Sequence, residues 1–174
     1  MARKYRMVHD QLLIRWLMDN FPAGSYILNP RLGAVSENVL KRIPFEMRGF
    51  AQNYQLTADA IAFKDKKVYI IECIVRPAEW WKIQQLDSYE QAFKVTDRFR
   101  EYWDWPIEKI LLTTQVNPFM EAQAASRGIR VVKFSTYETE RYLATLPKYR
   151  STPQGKGLKP PTTPPGGSPS PPPI

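Results

Sequence analysis

Two residue types that build many small-protein sites are nearly missing from these 174 residues: there is one cysteine, Cys73, and one histidine, His9. A lone cysteine leaves no disulfide framework within the chain and permits a reducing compartment without requiring one. Together the two scarcities exclude zinc-finger arrays and schemes of catalysis that depend on histidine. Long apolar runs are missing as well. None reaches the roughly 18–20 residues that a membrane span needs, so no membrane partner is expected. The opening stretch, MARKYRMVHD, carries cations but no apolar signal segment, and export by that route is not expected. No internal repeat is visible, and residues 148–174 contain no acidic side chain.

What is present falls into two parts. A hydrophobic fraction of 43% with 13% aromatics argues for a folded domain with a real core, which we place at residues 1–147. Residues 148–174 hold 9 of the 16 prolines and four cations, Lys148, Arg150, Lys156 and Lys159. This Pro-rich basic tail cannot bury enough apolar surface to fold alone and is expected to be extended or disordered. The net charge is +8, and half of it sits on the tail. A basic balance suits a polyanionic partner such as nucleic acid, or simply keeps the chain in solution.

Hydrophobic spacing and breakers give the order of elements. Val8, Leu12, Leu13, Trp16 and Leu17 recur at helical spacing over residues 8–20. A short strand at Ser25–Leu28 follows, then a helix over 37–42 capped by Ser36, and an unassigned stretch at 45–55. Two β-rich runs within 57–75 flank Lys64-Asp65-Lys66-Lys67, which reads as a hairpin. Residues 79–103 carry the longest helical pattern. Lys109–Thr113 and Ile129–Phe134 are strands, separated by a helix with Asn117 as cap, Pro118 at its first position and Gly128 at its stop. Ser135 with Glu138 gives a capping-box signal for a last helix ending near Pro147. The expected fold class is α/β, a mixed sheet flanked by helices.

The hairpin carries the functional clue. Period-two alternation puts Thr57, Asp59, Ile61 and Phe63 on one face of the first run. On the second run it groups Val68, Ile70, Glu72 and Ile74. Each strand therefore holds one carboxylate in an apolar stretch, a costly arrangement unless a metal, a cation or hydrogen bonds compensate. Acids on two adjacent strands suit Mg²⁺ beside a phosphate. On the next helix, Lys82, Gln85 and Tyr89 share a face that looks down on the pair if that helix packs over the hairpin.

In this order the residues resemble the PD-(D/E)XK nuclease superfamily, its RecB-like branch in particular, over roughly residues 8–115. Asp59 matches the first acid, Glu72 the second, and Gln85-Leu86-Asp87-Ser88-Tyr89 the Q-x-x-x-Y helix motif. The resemblance implies a restriction-endonuclease-like fold and Mg²⁺ held by Asp59 and Glu72. It also implies a strand of DNA positioned by Gln85, Tyr89 and Arg76. Ala58 stands where the family usually has proline. Ile74 stands where it has the lysine that steadies the attacking hydroxide and the charge growing on phosphorus. Loss of one such donor typically costs about 10²–10³ in rate. Lys82 from the helix or Arg76 from the strand end are the two candidate replacements.

Three outcomes follow. The leading expectation is a nuclease-fold protein without catalysis, a nucleic-acid-binding or structural component of a nucleoprotein or viral, phage-like assembly. In it the tail serves as a docking arm, and the protein is cytoplasmic or virion-associated. The alternative is an active Mg²⁺-dependent DNA nuclease in which Asp59, Glu72 and Lys82 are catalytic. A third is a structural adaptor anchored to other subunits by its tail. Each has a plain structural counterpart. Asp59 and Glu72 can form a buried ion network with Lys82 or Arg76, and Gln85 and Tyr89 can be ordinary helix-to-sheet contacts. The tryptophans Trp80, Trp81, Trp103 and Trp105 are expected in the core or at partner contacts, with base stacking as the other option.

Overall fold

A computed structural model describes residues 2–34, 41–42, 44 and 55–146. The chain divides into two compact units, Met1–Ser135 and Thr136–Ile174. The helix expected over 37–42 and the stretch 45–55 lie outside the described residues save for 41, 42 and 55, and the tail at 148–174 lies wholly outside them.

The first unit opens with α1, Ala2–Asn20. It buries Val8, Leu12, Leu13, Trp16 and Leu17, the stripe that the 3.6-residue period marks. Three strands follow: β1 (Tyr26–Leu28), β2 (Arg31–Leu32) and β3 (Leu56–Thr57). The hairpin comes next as β4 (Ala60–Lys64) and β5 (Lys67–Ile74), with Asp65 and Lys66 at positive φ in its two-residue turn. Left-handed conformations at both central positions match the strands' own twist, so the hairpin closes tightly without glycine. β6 (Ile107–Thr113), α3 (Pro118–Ala125) and β7 (Ile129–Lys133) complete the unit, with α2 (Ile83–Phe93) between β5 and β6.

Among the described residues the main sheet has five strands in the order β1-β4-β5-β6-β7, and β2 pairs with β3 apart from it. β1 and β5 each run antiparallel to β4, which lies between them, while β5, β6 and β7 are parallel. The fold is therefore α/β, a mixed sheet flanked by helices, as expected. One face packs Ile61, Val68, Ile70, Ile74 and Leu111 against Ile83, Leu86, Tyr89 and Phe93 of α2 and Met120 and Ala124 of α3. On the other side, Phe21 just beyond α1 meets Tyr69 of β5 edge-on at 5.1 Å.

The long helix expected over 79–103 is three pieces. A 3₁₀ segment, Pro77–Lys82, leads into α2, and a second, Asp97–Tyr102, follows it. The break falls at Val95-Thr96, two β-branched residues, where Thr96 is extended (φ −92°, ψ 104°). Its hydroxyl donates to the Ala92 carbonyl at 2.7 Å and accepts from the Gly33 amide at 2.8 Å. The chain thereby turns back, and Phe99 stacks on Phe93 at 5.1 Å. α3 starts as expected, with the Asn117 side chain accepting from the Met120 amide and Pro118 opening the helix.

In the second unit the described element is α4, Tyr137–Ala144. Its capping box lies one residue beyond the expected Ser135–Glu138. Thr136 caps, and Thr139 supplies the reciprocal hydroxyl, accepting from the Thr136 amide at 2.8 Å. A threonine hydroxyl does there what the glutamate was expected to do.

Candidate functional site

The acids meet because of register. Ala60 pairs with Ile71, so Asp59, one residue before β4, falls opposite Glu72 on β5. Opposed residues of an antiparallel pair project to the same face. Glu72 also lies near the carboxyl end of β5, and parallel β6 ends beside it at Thr113. The carboxyl ends of parallel strands are where open α/β sheets habitually bind ligands, because the loops leaving them splay apart.

Each carboxylate has a fixed set of partners. Beyond the end of the β4 ladder, the Cys73 amide donates to Asp59 Oδ2 at 2.7 Å. His9 Nε2 lies 3.2 Å from the same oxygen and 3.0 Å from the Cys73 carbonyl. On the α2 side, Lys82 Nζ stands 2.9 Å from Glu72 Oε1, at the end of the 3₁₀ segment that delivers it to the sheet. Glu72 is almost wholly buried, and its Oε2 has no hydrogen-bond partner among the described residues. The Tyr89 hydroxyl donates to Gln85 Oε1 at 3.4 Å, so the two motif residues sit together on α2.

Ionisation follows from these contacts. Burial, then the Asp59 charge, push the Glu72 carboxyl up to about 7 against the opposing pull of Lys82. Burial works against an ionised Asp59 too, but the hydrogen bond and charge of His9 and the Cys73 amide outweigh it and hold this carboxyl below its usual range. Two neighbouring acids are thus driven apart in affinity for protons, a pattern typical of sites that do chemistry. Burial disfavours the Tyr89 phenolate first, and the charges of Glu72 and Asp59 add to it, raising that hydroxyl and keeping it protonated. Burial opposes a charged Lys82, yet Glu72 and Asp59 overcome this and raise its affinity for a proton.

His9 is the residue that sequence reasoning missed, having set histidine chemistry aside. Both of its ring nitrogens face carboxylates, Nδ1 at 3.1 Å from Asp10 and Nε2 at 3.2 Å from Asp59. Burial alone would lower its basicity. The hydrogen bond and charge of Asp59, with the Cys73 side chain, win, and the imidazole is pushed up to about 12. The folded value lies above the unfolded one of about 6.5, so the stabilisation is complete below about pH 6.5 and is lost only as pH rises through about 12. As the chain has a single histidine, its ring signals in a ¹H–¹⁵N NMR titration belong to it alone. They are expected to stay those of an imidazolium from pH 5 to pH 9. A midpoint near 6.5 would contradict the Asp59 contact.

Of the remaining expected site residues, Arg76 turns toward α1, with its guanidinium 4.4 Å from the Tyr5 ring centroid. The Tyr5 hydroxyl in turn donates to Glu79 Oε2 at 2.5 Å, tying α1 to the 3₁₀ segment that carries Lys82. Ile74 is wholly buried in the core beneath α2. Cys73 points away from Glu72 and is buried, as expected for a core residue.

Among the described residues, no three or more His, Cys, Asp or Glu side chains are grouped as ligands of one metal. A cation here would rest on the two carboxylates, with water and substrate oxygens completing its shell. Mg²⁺ commonly binds in that way, through one or two carboxylates and a phosphate. The donor set fits it: one oxygen of Glu72 is buried and without a partner among the described residues, and the other is held by Lys82.

Fold and site together define an α/β protein with an acid pair, Glu72 near the carboxyl end of β5 and Asp59 just before β4 beside it, partnered by His9 of α1 and Lys82 of the 3₁₀ segment. No protein-family model, curated protein or solved structure matches the chain. No helix among the described residues is long and apolar enough to cross a membrane.

Proposed function

We propose that the acid pair is a Mg²⁺-dependent phosphodiester-cleaving site on a restriction-endonuclease-like fold, with DNA the expected substrate. One observation carries the reading: Lys82 Nζ lies 2.9 Å from Glu72 Oε1, while the strand position of the family lysine, Ile74, is buried. The order of elements, helix, hairpin, helix and parallel strand, supports it as well.

The roles divide as follows. When bound, the metal supplies Lewis-acid stabilisation of the phosphate and lowers the pKa of a water. Asp59, oriented by His9 and the Cys73 amide, and Glu72 are its ligands. Lys82 places a fixed positive charge where negative charge grows in the transition state. Half-buried Gln85 offers its amide from α2 to position the strand, and the buried Tyr89 hydroxyl, which donates to Gln85 Oε1, orients that amide.

A second reading is favoured by the ion balance. His9 offsets Asp59 and Lys82 offsets Glu72 within the protein itself, so the pair can serve as a structural network on a surface that binds nucleic acid without cutting it. In that reading the protein is a component of a nucleoprotein or viral assembly, docked by residues 148–174.

Incubating the purified chain with labelled single- and double-stranded DNA in Mg²⁺ or Mn²⁺, and in EDTA, separates the two. Metal-dependent product supports cleavage, and retarded but intact DNA supports binding alone. Neither product nor binding would end both.

A further inference from the structure

Among the described residues of the first unit, two large rings stand more than half exposed, Trp81 at 51% and Phe119 at 55%. They stand on the connections that leave two neighbouring parallel strands, β5 and β6. Trp81 immediately precedes Lys82, whose ammonium holds Glu72, on the segment that leaves β5. Phe119 is the second residue of α3, on the connection that leaves β6. Half-buried Trp80 joins them, meeting the Phe119 ring edge-on at 5.1 Å and 86°. The loops that bear them are pinned at their base, where the Thr114 hydroxyl donates to the Val75 carbonyl at 2.8 Å.

We propose that Trp81 and Phe119, buttressed by Trp80, form a stacking platform for unpaired bases, so that the site takes single-stranded nucleic acid. The inference rests on the proposed phosphodiester site and names its substrate class. An exposed indole presents a π-face that any base can cover, whereas paired bases inside a duplex have no free face to offer. Trp81 directly precedes Lys82, whose ammonium is held on Glu72, so this ring stands next to the residue that reaches the proposed phosphodiester site. The surroundings are polar: exposed Gln84 and Glu121 lie on the two helices that the rings introduce. That suits separate bases better than the contiguous apolar patch of a protein contact.

The test uses fluorescence anisotropy of labelled dT15 and of a 15-base-pair duplex, in EDTA so that no cleavage intervenes. Trp81→Ala and Phe119→Ala alter exposed side chains and are expected to fold. Each should bind dT15 about five- to a hundred-fold more weakly than the parent, with duplex binding changed less than about twofold. Trp81→Phe, which keeps a ring, should stay within about threefold of the parent. Equal dT15 affinity in both alanine variants overturns the platform, as does an equal loss on duplex. A change in self-association with DNA binding intact overturns it in favour of a protein contact. Asp59→Asn separates this inference from the reaction. If it stops cleavage while dT15 binding persists and resists both alanine changes, the reaction stands and the platform falls. If no cleavage is ever seen but Trp81→Ala loses dT15, the platform stands and the reaction falls.

Discussion

Asp59→Ala is expected to lower metal-dependent cleavage by about 10²–10³-fold, the order lost when one preorganised stabilising group is removed. The same change unsettles the fold. Without Asp59, the Cys73 amide and the His9 imidazolium lose a buried anionic partner. Breaking a buried pair costs about 3–5 kcal/mol, and some access of water to Asp59 puts the expected loss at the lower end, about 3 kcal/mol. For a chain of this size that lowers Tm by roughly 10 °C. Asp59→Asn resolves the two effects, since its amide oxygen still accepts from Cys73 while its charge is gone. It should recover part of the Tm and none of the activity. Full activity in Asp59→Asn would show that the acid does not act on substrate or metal.

Lys82→Met is the second large effect. Methionine keeps the apolar stem and removes the ammonium at Glu72. A preorganised charge of this kind is worth about 10²–10³ in rate. The carboxyl of Glu72, already raised to about 7, should climb further once its cation is gone, so the residual rate should reach its plateau at higher pH. A lysine that only tied the 3₁₀ segment to Glu72 would lower Tm and move the pH profile but leave the plateau rate close to the parent's. Ile74→Lys in the Lys82→Met background offers a sharper comparison. Position 74 lies two residues past Glu72 on the same face of β5, so it returns an ammonium to that carboxylate from the strand side. Activity should return at least tenfold if the charge, whatever its origin, is what matters. Burying the new stem among Ile70 and Ile83 will cost stability, so rates must be compared below the lower Tm.

The acid pair was legible because strand periodicity is strict. Once the hairpin is placed, a period of two commits Asp59 and Glu72 to one face, and only a register slip of one residue would separate them. Lys82 was legible for a weaker reason, its place on the face shared with Gln85 and Tyr89. That argument assumed one continuous helix, whereas Lys82 belongs to a 3₁₀ turn ahead of α2. The lysine reaches Glu72 all the same because that turn packs at the end of β5.

His9 escaped because its partners lie 50 and 64 residues away, and a single histidine has no spacing to read. A signal did exist. His9 falls within the stripe of Val8, Leu12, Leu13 and Trp16 that α1 buries, and a titratable ring there needs a buried partner. Only the pairing of helix with sheet says which acid that is. The break at Val95-Thr96 was hidden for a similar reason. Helical spacing ran on through Phe99, yet the ring stack of Phe93 with Phe99 forms only after the chain has turned. Tertiary packing overrode a local pattern there.

The most direct test of the acid pair as a cation site is its thermal response to metal and pH together. In EDTA, Glu72 binds a proton more tightly folded than unfolded, so its contribution favours the fold below about pH 4.5 and is lost as pH rises through about 7. Mg²⁺ binds the ionised form and should restore that loss. Millimolar Mg²⁺ is therefore expected to raise Tm at pH 8, to do so much less at pH 5, and to have no effect on Asp59→Asn or Glu72→Gln. An unchanged Tm at pH 8 with 10 mM Mg²⁺ or Mn²⁺, or an equal rise in both variants, would contradict a metal held between Asp59 and Glu72.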